Sequence, residues 1–150
     1  MRAVLQRVRY AKVTVEGNVV GAIQHGCLIL LGVHVADTQQ DLEWLAKKII
    51  GMRVFSDRYG KMNLSVADVD GRILVVSQFT LFASTKKGNR PSFLNSAKPD
   101  KAQKMYENFV QYLAKISDKP IQMGVFGADM KVELENDGPV TIFLDSQNLE

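Results

Sequence analysis

Ser77, Gln78 and Thr80 are the residues of this chain whose types and spacing most readily do chemistry. They follow directly on an apolar run, Arg72-Ile73-Leu74-Val75-Val76, and alternate with Phe79 and Leu81. Two hydroxyls and a carboxamide brought in by a buried strand need partners, because an unpaired buried polar group costs roughly 1–3 kcal/mol. If the strand continues to Leu81, Gln78 and Thr80 share one face, with Ser77, Phe79 and Leu81 on the other. Two readings follow: the polar groups cap neighbouring backbone in a core strand, or they hold a ligand.

A second motif is Asn136-Asp137-Gly138-Pro139-Val140-Thr141. Locally it reads as a hairpin turn. Pro139 lacks an N–H and cannot sit inside an internal ladder. An X-Pro bond can be cis for about 0.5–1 kcal/mol, which would turn the carbonyls of Gly138 and Pro139 into an acceptor pair. A third feature is the loop Lys86-Lys87-Gly88-Asn89-Arg90-Pro91, a solvated turn that could also hold phosphates.

Other chemistry has no signature here. His25 and His34 are the only histidines, and neither stands in a metal-ligand spacing or a zinc-protease motif. Cys27 is the only cysteine, so an intrachain disulfide or a thiolate cluster is ruled out, and it reads as an inert core thiol. Gly124-Val125-Phe126-Gly127 lacks the glycines of a dinucleotide fingerprint, and there is no P-loop. The single cysteine fits a reducing, cytoplasmic setting. Neither a signal peptide nor a run long enough to span a bilayer is expected. The net charge of +3, from 19 Lys and Arg against 16 Asp and Glu, permits nucleic-acid binding without requiring it.

These motifs need elements to position them. At 150 residues, 46% hydrophobic and 23% charged, the chain reads as one domain over 1–150 with a real core. Val4 to Tyr10 and Ala11 to Glu16 read as two strands. Gly17-Asn18 makes a hairpin turn into Val19 to Ile23, and Cys27 to Val33 is a strand buried on both faces. A helix opens at Asp37 or Thr38 with the stripe Leu42, Leu45, Ala46 and Ile49, and Asp37 with Gln40 resembles a capping box. Arg53 to Phe55 resumes a strand and Asp57 to Gly60 turns. A second helix starts near Pro99 with the stripe Ala102, Met105, Tyr106, Phe109, Val110 and Leu113, and Asp118-Lys119-Pro120 ends it. Met130 to Glu135 and Val140 to Leu144 are the last strands. Without regular βαβ alternation, the fold class is α+β: a mostly antiparallel sheet, partly barrel-like, with two main helices packed on it.

Taken together, the chain resembles the D-aminoacyl-tRNA deacylase (D-tyrosyl-tRNA deacylase) family along nearly its whole length. The family's Ser-Gln-Phe-Thr-Leu motif is complete at Ser77 to Leu81, and its Asn-x-Gly-Pro-Val-Thr motif at Asn136 to Thr141. Met1 to Val8, Gly60 to Leu64, Arg90 to Phe93 and Phe126 to Met130 are similar too. The resemblance implies a homodimeric hydrolase that frees tRNA of wrongly attached D-amino acids, and it makes glycyl-tRNA a second substrate to test. Neither metal nor organic cofactor is expected, nor any membrane or DNA partner; the partners are the aminoacyl-tRNA 3′ end and a second subunit.

By the resemblance, Ser77, Gln78, Phe79 and Thr80 form the catalytic stretch. A cis Gly138-Pro139 bond reaches into the partner subunit's pocket and screens chirality. From the residues themselves, Arg7 and Asn136 are candidates to support that loop, and Lys86, Lys87 and Arg90 in the basic loop are candidates to contact tRNA phosphates. Three rivals stand beside this reading: an RNA-binding module without turnover, an editing domain for L-aminoacyl esters, and a small protein that only dimerises.

Overall fold

One long strand carries the architecture. In the computed structural model, which describes residues 1–149, β1 (Arg2–Val15) pairs antiparallel along one edge with β3 (Gly26–Gly32) and then β2 (Asn18–Ile23). Along its other edge it pairs with β8 (Lys131–Asp145). Where two strands were expected there is one. Its buried positions run Ala3 and Leu5, then Val8, then Ala11 and Val13. The alternation slips twice, at bulges between Gln6 and Val8 and between Val8 and Tyr10. A slip of phase looks locally like the end of a strand. The turn into β2 also lies one residue earlier than expected: Glu16 and Gly17 both have positive φ, and Asn18 already pairs with Val15.

The sheet is mixed. β6 (Arg72–Ser77) runs parallel to β3, and β7 (Gln122–Met123) runs parallel to β6. β7 then lies against β2, so close that a Cβ on Gly21 would come within 2.6 Å of the Met123 carbonyl oxygen. The sheet is thereby nearly closed into a barrel. A small ribbon, β4 (Phe55–Ser56) with β5 (Met62–Leu64), stands apart from it.

Alternation along β3 and β6 sorts two cores. Leu28, Leu74 and Val76 point into the barrel with Val8, Ala11 and Val13. Ile29, Leu31, Ile73 and Val75 point outward to the two helices. Helix α1 (Gln39–Gly51) buries the expected Leu42, Leu45, Ala46 and Ile49. Its capping box is Thr38 with Asp41 rather than Asp37 with Gln40. Asp37 is occupied elsewhere. It is buried, its Oδ1 lies 2.5 Å from the Met1 α-ammonium, and its Oδ2 accepts the His34 N–H at 2.6 Å.

Helix α2 (Pro99–Ser117) has Pro99 in its first turn, ends on a left-handed Asp118, and buries Ala102, Tyr106, Phe109, Val110 and Leu113. Cys27 lies in the core, where burial pushes its thiol up to about 12 against an opposing pull from Arg7. Burial likewise raises the Tyr106 phenol to about 12. It therefore stays protonated and donates to the Val75 carbonyl at 2.8 Å, fastening α2 to β6 two residues before Ser77. Tyr106→Phe should lower stability by about 1 kcal/mol, read as a fall in urea midpoint at unchanged m-value; an unchanged midpoint would show that the bond adds nothing. Among the described residues, no helix is long and apolar enough to cross a membrane.

Candidate active site

Ser77 has the same parity on β6 as Ile73 and Val75, so it faces α2 rather than the barrel interior. There it lines a cavity of about 460 Å³ together with Phe79, Phe93, Lys98, Ala102 and Phe126. The Phe79 and Phe93 rings meet edge-on at 5.0 Å, and both are exposed at the mouth. The walls are mostly apolar, with Ser77 at the end of the strand, Ser96 and Lys98 as the polar points.

The strand does not continue to Leu81 as expected. It ends at Ser77, its last pair being with Leu31, and Phe79–Phe82 forms a 3-10 turn. The cause lies in β3. Gln78 still donates to the Leu31 carbonyl at 2.7 Å, but the next partner, Gly32, closes that strand. A Cβ on Gly32 would stand 3.0 Å from the Gln78 carbonyl oxygen and 3.2 Å from both Leu81 and Phe82. Glycine there lets the turn fold over the end of β3. The turn keeps part of the expected grouping: Ser77 and Phe79 both line the cavity, and the Gln78 carboxamide donates to the Thr80 hydroxyl. Leu81 does not line it.

A 3-10 turn, like any helical start, leaves its first N–H groups without internal acceptors. Leu81 and Ala83 donate back to Gln78 and Thr80, whereas the N–H groups of Phe79 and Thr80 have no partner among the described residues. Two adjacent donors without partners thus stand on an exposed turn beside the cavity, free to donate to an anionic oxygen of a ligand.

Asn136 to Thr141 is a bulge in β8 and not a hairpin. Thr141 pairs with Gln6 and Asn136 with Val8, so four residues, Asp137 to Val140, face Arg7 alone. The Gly138-Pro139 peptide is cis. The Asn136 side chain closes the base of the bulge, accepting from the Val140 N–H at 2.8 Å and donating to the Val140 carbonyl at 3.1 Å. Arg7 clasps it from the side, with Nε on the Asp137 carbonyl at 2.8 Å and Nη1 on the Val54 carbonyl at 2.6 Å. Gly138 and Pro139 are exposed, and their carbonyl oxygens accept no hydrogen bond among the described residues.

Two unfilled N–H donors and two unfilled carbonyl acceptors therefore stand on one chain, but apart. From the bulge in β8 the sheet crosses β1 and β3 before reaching β6, three strand positions away. No residue from 136–141 lines the Ser77 cavity. Lys86, Lys87 and Arg90 are exposed in the loop before Phe93, and Lys86 borders a polar cleft with Arg2, His34 and Asp145. Among the described residues, no group of three or more His, Cys, Asp or Glu is placed to hold a metal ion.

Motif reading missed Ser96, Lys98 and Ala102 as lining residues. Phe93 and Phe126 carried a signal in hindsight: each is a large aromatic in an irregular stretch, where burial in a regular element cannot account for it.

The profile of the family described as D-Tyr-tRNA(Tyr) deacylase matches residues 4–145. The D-aminoacyl-tRNA deacylase of Flavobacterium johnsoniae is 62% identical over 150 residues, covering 100% of both chains. That of Parabacteroides distasonis is 57% identical over the same full length. The solved structure of a c-Myc DNA Unwinding Element Binding Protein is similar with a TM-score of 0.91 at 44% identity, covering 97% of this chain and 98% of that one. A probable eukaryotic D-amino acid tRNA deacylase shares the fold at 16% identity, with a TM-score of 0.83 over 95% of this chain and 97% of the other.

Proposed function

This chain belongs to the D-aminoacyl-tRNA deacylase family and is a hydrolase of the aminoacyl-tRNA ester; on that premise we propose that it screens chirality with a site completed by a second copy of itself. The observation that carries the reading is the separation of the two half-sites, unfilled donors at Phe79 and Thr80 and unfilled acceptors at Gly138 and Pro139. In a homodimer the bulge of one subunit reaches the cavity of the other.

The ester at a tRNA 3′ end is already activated and has a ribose hydroxyl beside it. Hydrolysis then asks for placed water and a stabilised oxyanion more than for a strong side-chain base. Water adds to the carbonyl carbon with help from the RNA 2′-hydroxyl, and the tetrahedral oxyanion lies against the Phe79 and Thr80 N–H groups. The ribose oxygen leaves as a hydroxyl, taking up the proton that the water gives away. The partner's carbonyls at Gly138 and Pro139 receive the substrate's α-ammonium. With ammonium and carbonyl carbon both pinned, D and L side chains point in different directions, and a backbone wall turns away the L form whatever its identity. Glycine has no side chain to exclude, so glycyl-tRNA enters as a second substrate. Lys86, Lys87 and Arg90 hold phosphates, and the enzyme works in the cytoplasm, where charged tRNA is.

Thr80 serves by position. Its hydroxyl hydrogen-bonds with the Gln78 carboxamide, which is no base, so nothing there activates it as a nucleophile. Thr80→Ala should keep single-turnover deacylation within about tenfold of the parent; abolished turnover in a folded Thr80→Ala protein would reinstate the acyl-enzyme route. The reading as a whole is tested by incubating D- and L-aminoacyl-tRNA with the protein and following ester loss. Loss of the D form alone supports it. Equal loss points to an L-ester editing domain, and binding without loss to an RNA-binding module.

A further inference from the structure

Positive charge in this chain is concentrated. Between Ala83 and Met105 stand six cations, Lys86, Lys87, Arg90, Lys98, Lys101 and Lys104, against the single acid Asp100. That stretch carries +5, while the whole chain carries only +3, so the remainder is net negative. It is also the stretch that supplies Phe93, Lys98 and Ala102 to the cavity.

The ordering continues along α2. A helix turns about 100° per residue, so residues three apart step about 60° around it. Taking the buried Ala102 and Phe109 as the inward line, Lys98, Lys101 and Lys104 step round one flank from the cavity rim. Lys115, also exposed, prolongs that flank about three turns further on. Gln103 and Glu107 lie on the other flank, and Asp100 lies on the outer line between the two, about 40° round from Lys104.

Asp100 and Glu107 are both near enough in sequence to pair with Lys104, yet neither forms an ion pair with it among the described residues, and Glu107 accepts from the Gln103 carboxamide at 3.0 Å instead. Among the described residues, the ion pairs use Arg2, Arg7, Arg9, Lys12, Lys119, Lys131 and the Met1 ammonium, and none of the six cations above. Lys101 donates to the Val35 carbonyl at 2.6 Å, tying the first turns of α2 to the segment after β3. The row is thus a line of cations outside any ion pair among the described residues, anchored at Lys101 and leading away from the cavity mouth. A polyanion of regular charge spacing matches it.

We propose that this flank of α2, from Lys98 through Lys104 to Lys115, is a phosphate-tracking surface for the double-helical RNA adjoining the esterified 3′ end. It rests on the deacylase reading above and adds to it the stem: the single-stranded end enters past Lys98, and the duplex lies along the helix.

The test is a Lys104→Glu/Lys115→Glu double variant assayed on D-aminoacyl-tRNA and on D-aminoacyl-adenosine, which keeps the ester and the ribose but has no stem. The ratio of kcat/KM on tRNA to that on the adenosine ester should fall at least about tenfold near 50 mM salt, and the log–log salt slope on tRNA should flatten by roughly 2. A Lys47→Glu/Lys48→Glu variant on α1 makes the same change of charge and should move the ratio less than about twofold. An unchanged ratio in the α2 variant, or an equal fall in the α1 variant, overturns the proposal. Should the parent protein turn over neither ester, the deacylase reading has failed, and affinity for uncharged tRNA decides the surface alone. About tenfold weaker binding by the α2 variant then supports it, and unchanged binding overturns it.

Discussion

Gly138→Ala should lower kcat/KM on D-aminoacyl-tRNA by a hundredfold or more, on the order expected when reacting groups are displaced by about 1 Å. Gly138 has φ +146, and a Cβ there would stand 2.8 Å from Val140 Cγ2, 2.9 Å from the Val140 nitrogen and 3.0 Å from Arg7 Nη2. Two of these atoms belong to the bulge and the third to the side chain that clasps it. An added methyl must therefore move the carbonyls proposed to receive the substrate's ammonium. The ladder on either side is untouched, since pairing resumes at Gln6 with Thr141 and at Val8 with Asn136. The stability loss should stay near the roughly 1–3 kcal/mol of a strained residue. Steady-state kinetics beside a thermal melt separates the two effects. Near-parental turnover in the folded variant would remove the Gly138 bulge from the site.

Asp37→Ala should be the most destabilising single change, at about 3–5 kcal/mol. The Met1 ammonium and the Asp37 side chain are both fully buried. Removing the carboxylate leaves a buried cation hydrogen-bonded only to the Ser146 hydroxyl among the described residues, with the Asp41 and Asp145 carboxylates acting on it from farther off, and strips the His34 N–H of its acceptor. Against the 5–15 kcal/mol that holds a typical domain, this is a large fraction. The melting temperature should drop by on the order of 10 °C. Asp37→Asn, which keeps an acceptor, should fall between variant and parent. A loss below about 1 kcal/mol for Asp37→Ala would show that the ammonium finds water instead.

Both arguments rest on features with uneven visibility in the sequence. The stripe Ala102, Tyr106, Phe109, Val110 and Leu113 was legible because 3.6-residue periodicity over a long helix admits no other element. The two-faced burial of Cys27 to Val33 was legible, but its parallel pairing with β6 was not, since a continuous apolar run does not state the direction of its neighbour. The end of the strand at Ser77 is set by where β3 stops and by the space that Gly32 leaves, both tertiary facts. Likewise Asn136 to Thr141 has the local chemistry of a hairpin, and only the unbroken presence of β1 opposite makes it a bulge. Asp37 suits a cap by its sequence neighbours; its real partner is the Met1 ammonium just ahead of β1. The two motifs themselves were visible, each with a structural reading beside the functional one: a core strand for Ser77 to Leu81 and a hairpin turn for Asn136 to Thr141. That they lie three strand positions apart was not.

The bulge in β8 also obeys a counting rule. From Gln6 to Tyr10, β1 advances four residues; from Thr141 back to Glu135, β8 spends six. The net excess is two, and the faces change across it. Beyond the insert, Val140, Ile142 and Leu144 pack on the helix-covered core together with Ala3 and Leu5 of β1. Before it, Leu134 packs in the barrel together with Ala11 and Val13. The slip in β8 thus matches the slip in β1, and the two paired strands pass from one core to the other side by side. The bulge is a crossing point between the two cores, and lengthening it by one residue would turn either Leu134 or Ile142 away from the core it serves.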